Sequence, residues 1–268
     1  MAMAAAPAKV GRFRTWLVNS GPVLGIFIVI FLLWELCCRL FDVPDFILPS
    51  PLEIIDKMTT SWWLLLVNGL VTAQEIVLGF GMSVAIGIPL AVLVVYSRTF
   101  ERVAFPFMVS LQTIPKVALA PILVMWLGYG ILPKVMVAFL ISFFPIVIAA
   151  VVGMRSAEKE MIYLVQSMGA SELTTFLKIR LPRALPSIFG GLKIGMGQAV
   201  VGATVGEFIA AEHGLGYLQL ISQVRLDTAL LFAAVVVLSL LGVLLFNMVA
   251  WAERLALPWN RLRTEMIE

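Results

Sequence analysis

The chain has 268 residues, 61% of them hydrophobic and 13% charged, where soluble domains average about 45–50% apolar and 25% charged. That balance excludes a soluble globular protein. The net charge of +3 is too small to indicate a nucleic-acid partner, and the basic residues fall in clusters that a bilayer explains.

Taken in chain order, Lys9, Arg12 and Arg14 precede an apolar run from about Pro22 to Leu40. This start imitates a secretory signal, but no small-residue cleavage site follows "FLLWELCCRL", so it is read as an uncleaved first span. Cys37 and Cys38 are adjacent, which suits neither a disulfide nor a metal site, and they are expected to serve packing. Proline-rich turn signals follow, and then Leu52, Ile55 and Met58 at helical spacing with acids between them. They predict a surface helix, either resting in the interface with Trp62 and Trp63 as anchors or docking an external partner.

A bilayer core needs about 20 apolar residues per helix. Further runs of that length cover about Val71–Tyr96, Val103–Leu127, Ile131–Gly153, Leu185–Ala210 and Thr228–Arg254, so six transmembrane helices and an all-α integral membrane fold are expected. The whole chain, 1–268, is read as one transmembrane domain. It has a cytoplasmic N-terminal segment (1–20), a long loop between spans four and five (154–184) and a C-terminal tail (255–268). Arginine and lysine concentrate in the N-terminus, the second loop (Arg98, Arg102), the 154–184 loop (Arg155, Lys159, Lys178, Arg180, Arg183) and the tail (Arg254, Arg261, Arg263). The opposite connections carry only Arg39, Lys57, Lys134 and Arg225, so both termini and the long loop are expected in the cytoplasm.

Polar groups inside spans are costly and are functional candidates. In "LQTIPKVALAP" the third span holds Gln112, Thr113 and Lys116 around Pro115, which invites a kink. Lys116 is either a counter-charge for an anionic solute or a structural residue that snorkels or pairs with an acid such as Glu207. The fifth span repeats Ser187, Gly191, Gly195, Ala199 and Ala203 every four residues, widened by Gly202 and Gly206. This small-residue ridge predicts close helix packing, with Gln198, Thr204 and Glu207 as the polar groups facing a central path. Glu75 is expected to pair structurally, and Lys193 to snorkel. His213 is the single histidine and lacks companions for a metal.

The 154–184 loop ends in a patterned stretch. Gly169 supplies a turn, Ser171 a cap and Glu172 an acid at the positive end of the helix dipole. Leu173, Phe176 and Leu177 share one face, Lys178 and Arg180 fall in the last turn, and Pro182 is read as the stop. By pattern alone this amphipathic helix lies on headgroups or docks a partner.

"G-A-S-E-L-T-T-F-L-K-I-R-L-P", from Gly169 to Pro182, resembles the cytoplasmic-loop signature of bacterial binding-protein-dependent ABC importer permeases. "LPSP" at Leu48–Pro51, the run from Pro115 to Gly130, "FFPI" at Phe143–Ile146 and "GEFIAAEHGLGYL" at Gly206–Leu218 are similar to the nitrate, sulfonate, taurine and pyrimidine-precursor branch. Where that family usually writes Glu-Ala-Ala, this chain has Tyr163, Leu164 and Val165. The resemblance implies a type I ABC importer permease bundle in the bacterial inner membrane. It also implies a homodimer that works with an external solute-binding protein and a cytoplasmic ATPase dimer, among lipid and without nucleic acid. ATP and magnesium would be bound by the ATPase, since this chain has no G-x-x-x-x-G-K-[ST] stretch and no cofactor motif of its own. The resemblance assigns coupling to Gly169, Ala170, Ser171, Glu172, Leu173, Phe176, Leu177, Ile179, Leu181 and Pro182.

A self-contained ion-coupled carrier would use Glu75, Lys116 and Glu207 as a charge relay, but the chain shows no internal repeat. An intramembrane enzyme is not expected, since the chain lacks an HExxH, GxSxG or paired-carboxylate constellation.

Overall fold

In lipid every backbone polar group must be satisfied within its own segment, which leaves helices as the solution for apolar runs of this length. The computed structural model describes residues 25, 26 and 28–258, and every regular element among them is helical. The basic residues Lys9, Arg12, Arg14, Arg261 and Arg263, the segment 1–20, the start of the first predicted span and most of the tail lie outside the described residues. Helix α1 covers residues 28–40, and α2 (Pro51–Thr60), α3 (Trp62–Tyr96), α4 (Arg98–Gln112), α5 (Ala120–Leu127) and α6 (Ile131–Arg155) follow. Next come α7 (Lys159–Ser167), α8 (Glu172–Thr175), α9 (Leu181–Ala210), α10 (Leu215–Val224) and α11 (Thr228–Ala256).

Among the described residues, four helical stretches are long and apolar enough to cross a membrane: Trp62–Tyr96, Ile131–Arg155, Glu172–Ala210 and Thr228–Ala256. The third predicted span is not one rod. Its halves, Arg98–Gln112 and Lys116–Leu127, meet at 89°, and counted as one broken span they make a fifth. Pro115 separates them and begins a 3-10 turn over Lys116–Leu119, so the expected kink is a full bend.

The chain divides into two units, one of Met1–Trp62 with Ser222–Ala233 and one of Trp63–Ile221 with the remainder. In the first, α2 starts with a capping box: Glu53 N–H donates to Ser50 Oγ and Ser50 N–H donates to the Glu53 carboxylate. Pro51 and Ile54 turn inward while Leu52 and Ile55 stay exposed, and Lys57 pairs with Asp227 at 2.7 Å. Thr228 donates to the Phe46 carbonyl at 2.8 Å, and the Trp34 ring meets Phe232. Cys38 packs and Cys37 is exposed, both as free thiols.

In the second unit α6 is the central element. Lipid tails are as apolar as leucine, so helices here associate by close fit and hydrogen bonds rather than by expelling water. The small-residue ridge of α9 provides that fit. A Cβ on Gly202 would stand 2.6 Å from Ala138 Cα, and one on Gly195 would stand 2.7 Å from Ile146 Cγ1. Ser187 donates to the Ala149 carbonyl at 2.8 Å. On the opposite side Gly79 of α3 approaches Ala138 as closely, and Ser83 meets Ser142 at 2.7 Å and donates to the Phe139 carbonyl. Gly202→Val should therefore pry α6 from α9 at a cost of about 1–3 kcal/mol from overpacking. The exposed Gly197→Val on the same helix should cost little, since a Cβ there meets nothing within 4 Å. Thermal unfolding of the purified protein in detergent separates the two variants, and equal melting temperatures would contradict the seam.

Pro182 does not end the amphipathic helix. The chain stays helical from Glu172 to Ala210, with a π-turn over Phe176–Arg180 in which Leu181 N–H donates to the Phe176 carbonyl. A proline at 182 has no N–H for the carbonyl of Lys178, and the π-register accommodates that missing donor. The amphipathic stretch and the fifth span are thus one mechanical piece.

Candidate coupling surface and translocation cavity

The patterned loop lies in the second unit. After α7 the chain reverses at Gly169, whose φ of +84° is a left-handed conformation that suits glycine. Ser171 Oγ accepts from Thr174 N–H, and Gln166 donates to Glu172 at 2.9 Å, tying α7 to α8. Arg155–Glu101 at 2.6 Å and Arg183–Glu158 at 2.8 Å brace the two ends of the loop.

The coupling residues named from sequence divide by direction. Leu173 and Leu177 are exposed, at 67% and 52%. Phe176 and Leu181 are half-buried against the core around Met154 and Ala184, and Ile179 is buried. Phe176 therefore does not share the outward face with Leu173 and Leu177. The π-turn after Thr175 shifts the register that a 3.6-residue period assumes. In exchange, Tyr163, Leu164 and Met168 of the preceding helix and its cap stand outward, exposed by 60% or more. Two of the positions where an acid and alanines were expected, Tyr163 and Leu164, thus present apolar side chains outward, as Leu173 and Leu177 do. Pattern reading missed them because α7 was not separated from the rest of the loop.

Within the spans, a cavity of about 450 Å³ is lined by Gln112, Lys116, Pro145, Ser187 and Gln198 among others. Four polar residues, from α4, the 3-10 turn and α9, meet there. The Lys116 ammonium sits 4.9 Å from the centroid of the Phe144 ring, and among the described residues no carboxylate pairs with it. Pro145 has no N–H for the carbonyl of Ile141, which lines the same cavity. Such a space presents a cation and two amides to a small molecule.

The remaining path candidates stand elsewhere. Thr113 and Thr204 donate to the carbonyls of Ser110 and Val200 on their own helices. Glu207 is buried in a clamp: Thr72 donates to one carboxylate oxygen at 2.6 Å and Gly216 N–H to the other. Asn68 and Thr72 accept from the N–H groups of Gly214 and Leu215 at 2.7 and 2.8 Å. Side chains of α3 and α9 together satisfy the otherwise open first N–H groups of α10. Beside this clamp Lys134 pairs with Glu75, both nearly inaccessible. Sequence reasoning placed Lys134 in an external connection and passed over Asn68 and Thr72. Their spacing in "NGLVTAQE", which sets Asn68, Thr72 and Glu75 on one helical face, was the available signal. Lys193 pairs with Glu253 at 2.8 Å.

Residues 83–256 match the family described as binding-protein-dependent transport system inner membrane component. The chain belongs to that family. Among curated relatives, the formylaminopyrimidine transport permease protein ThiX of Halalkalibacterium halodurans is 36% identical over 236 residues, covering 88% of this chain and 94% of its own. The riboflavin transport system permease protein RibX of Chloroflexus aurantiacus is 36% identical over 254 residues, 93% of this chain and 95% of its own. The taurine permease protein TauC of Escherichia coli is 28% identical over 247 residues, 88% and 89%. In fold, the chain resembles the inward-facing MetNI methionine ABC transporter with a TM-score of 0.63 at 19% identity, over 73% of this chain and 97% of that one. This permease is therefore an ABC importer component and not a self-contained ion-coupled carrier or a member of an enzyme family. Membership of that family implies an ATPase and a solute-binding protein as partners.

Proposed function

We propose that this permease lines the passage for a small, nitrogen-containing planar solute and couples that passage to a separate ATPase through its 154–184 loop. The observation that carries the passage is the convergence of Gln112, Lys116 and Gln198 on one cavity. Polar side chains are costly at membrane depth and persist where they face protein or a water-filled space. Lys116 and Phe144 together offer a positive donor and a π-face, which suit an anionic or carbonyl-bearing ring.

The solute class rests on the relatives. Those at 36% identity are named for formylaminopyrimidine and riboflavin, both nitrogen heterocycles, and those at 28% for taurine and aliphatic sulfonates. Homodimer formation is supported by the α9 face of Ile194, Gln198 and Val201, which is exposed in the single chain and continuous with the cavity. The excess of arginine and lysine in the loop, with Lys134 withdrawn into a buried pair, supports an orientation with loop and termini in the cytoplasm of a bacterial inner membrane. ATP and magnesium then belong to the ATPase.

The test is uptake by the importer assembled in vesicles with its ATPase and binding protein. Lys116→Met is expected to lower the uptake rate by about tenfold, a loss of about 1.4 kcal/mol that one desolvated charge contact accounts for, without loss of ATPase binding. Unlabelled formylaminopyrimidine should compete and taurine should not. Normal uptake by Lys116→Met removes the cavity from the path, and competition by taurine alone removes the heterocycle.

A further inference from the structure

The cytoplasmic end of α3 stops at Tyr96, directly against the π-turn. Its ring meets Phe176 edge-on, with centroids 5.8 Å apart and an interplanar angle of 75°. On the same ring the Arg180 guanidinium carbon stands 5.2 Å from the centroid, and the Arg180 Nε is buried without a hydrogen-bond acceptor. Phe176 and Arg180 are the first and last residues of the π-turn. One aromatic ring of the second span is therefore gripped by both ends of the one irregular turn in the Glu172–Ala210 helix.

We infer that Tyr96 is the positioning residue that links the coupling segment to the second span, so that displacement of the loop moves α3 together with α9. This rests on the reading of the loop as the ATPase contact. Three physical facts carry it. The coupling segment and α9 are one helix, so α9 needs no further link, whereas α3 is joined to the loop along the chain only through α4, α5 and α6. π-turns are local departures from the α ladder that concentrate at functional sites, and this one presents its two end side chains to a single partner. Arg180 leaves Nε unpaired and meets the ring through its guanidinium, so the contact depends on the π-face rather than on an acid that solvent or salt would screen.

The experiment uses the assembled importer in vesicles, with ATP hydrolysis measured with and without the binding protein carrying the solute with which it is purified. Tyr96→Phe keeps the ring and should keep the stimulation. Tyr96→Leu fills the space without a π-face and should lower the stimulated-to-basal ratio by about fivefold to tenfold, the size expected for one cation–π and one edge-to-face contact. Basal hydrolysis and co-purification with the ATPase should be unchanged. A wild-type ratio in Tyr96→Leu, or an equal fall in Tyr96→Phe, overturns the link. Arg180→Gln reads the same contact from its other partner should Tyr96→Leu fail to insert, and a wild-type ratio there also overturns it. Failure of the loop reading looks different, because Leu177→Asp would then retain the ATPase.

Discussion

Lys134→Met is expected to be the most damaging single substitution, costing about 3–5 kcal/mol because it leaves a buried carboxylate without its partner. Lys134 is 6% exposed and Glu75 fully buried, and Glu207 is close enough for the two carboxyls to interact. Removing the lysine leaves two acids facing each other in a medium that solvates neither. The loss should not stop at the pair. Glu207 holds the start of α10 through Gly216, and Thr72 and Asn68 hold Leu215 and Gly214, so disorder at the acids spreads to the clamp. The double variant Glu75→Gln with Lys134→Met removes both charges and should recover most of the stability. Thermal unfolding in detergent measures all three proteins. A single variant as stable as wild type, or a double variant no better than the single, would show that the pair is not what holds these helices.

Leu177→Asp and Leu173→Asp are expected to abolish productive docking of the ATPase while sparing insertion in the membrane. Each places a charge in the centre of an exposed apolar surface. Loss of a central anchor costs about 2 kcal/mol or more, on the order of thirtyfold in affinity. Phe176→Asp is a poorer probe, because its side chain packs inward and the variant would disturb the core. With Tyr163 and Leu164 standing where an acid was expected, the grip is apolar, so association should change little between low and physiological salt. Co-purification of the ATPase with each variant, at two salt concentrations, reads both expectations. Intact co-purification with Leu177→Asp would dismiss this surface, and steep loss with added salt would return the contact to charge.

Much of this was legible in the residues because the bilayer imposes strong rules. Apolar runs gave the fourth and sixth spans nearly to their ends and the C-terminal ends of the second and fifth, whose helices begin earlier, at Trp62 and Glu172, than their apolar runs. The four-residue spacing of Ser187, Gly191, Gly195 and Ala199 marked a seam, because only small side chains allow backbones to approach so closely. Gly169, Ser171 and Glu172 announced a turn, a cap and a helix start from local chemistry alone. The pairing of Glu75 was expected in kind, since an ionised group at that depth needs a partner, but its partner was not.

What the tertiary structure decided is which groups face each other, a question that linear spacing leaves open. By spacing alone Glu207 was expected to face a path, and Lys116 was open to a path or to pairing with an acid such as Glu207. Their neighbours separate them: Glu207 is enclosed by Thr72 and the first N–H groups of α10, while Lys116 shares a cavity with Gln112 and Gln198. The π-turn likewise escaped the sequence, because one extra residue in a helical turn changes no composition yet rotates Phe176 away from Leu173 and Leu177. The sequence by itself determined that the chain spans a membrane and where its unbroken apolar helices run, because those follow from hydropathy and local backbone preference. Only the packed helices decided which polar side chains clamp and which line a cavity, because that depends on contacts between residues more than a hundred positions apart, such as Thr72 and Glu207.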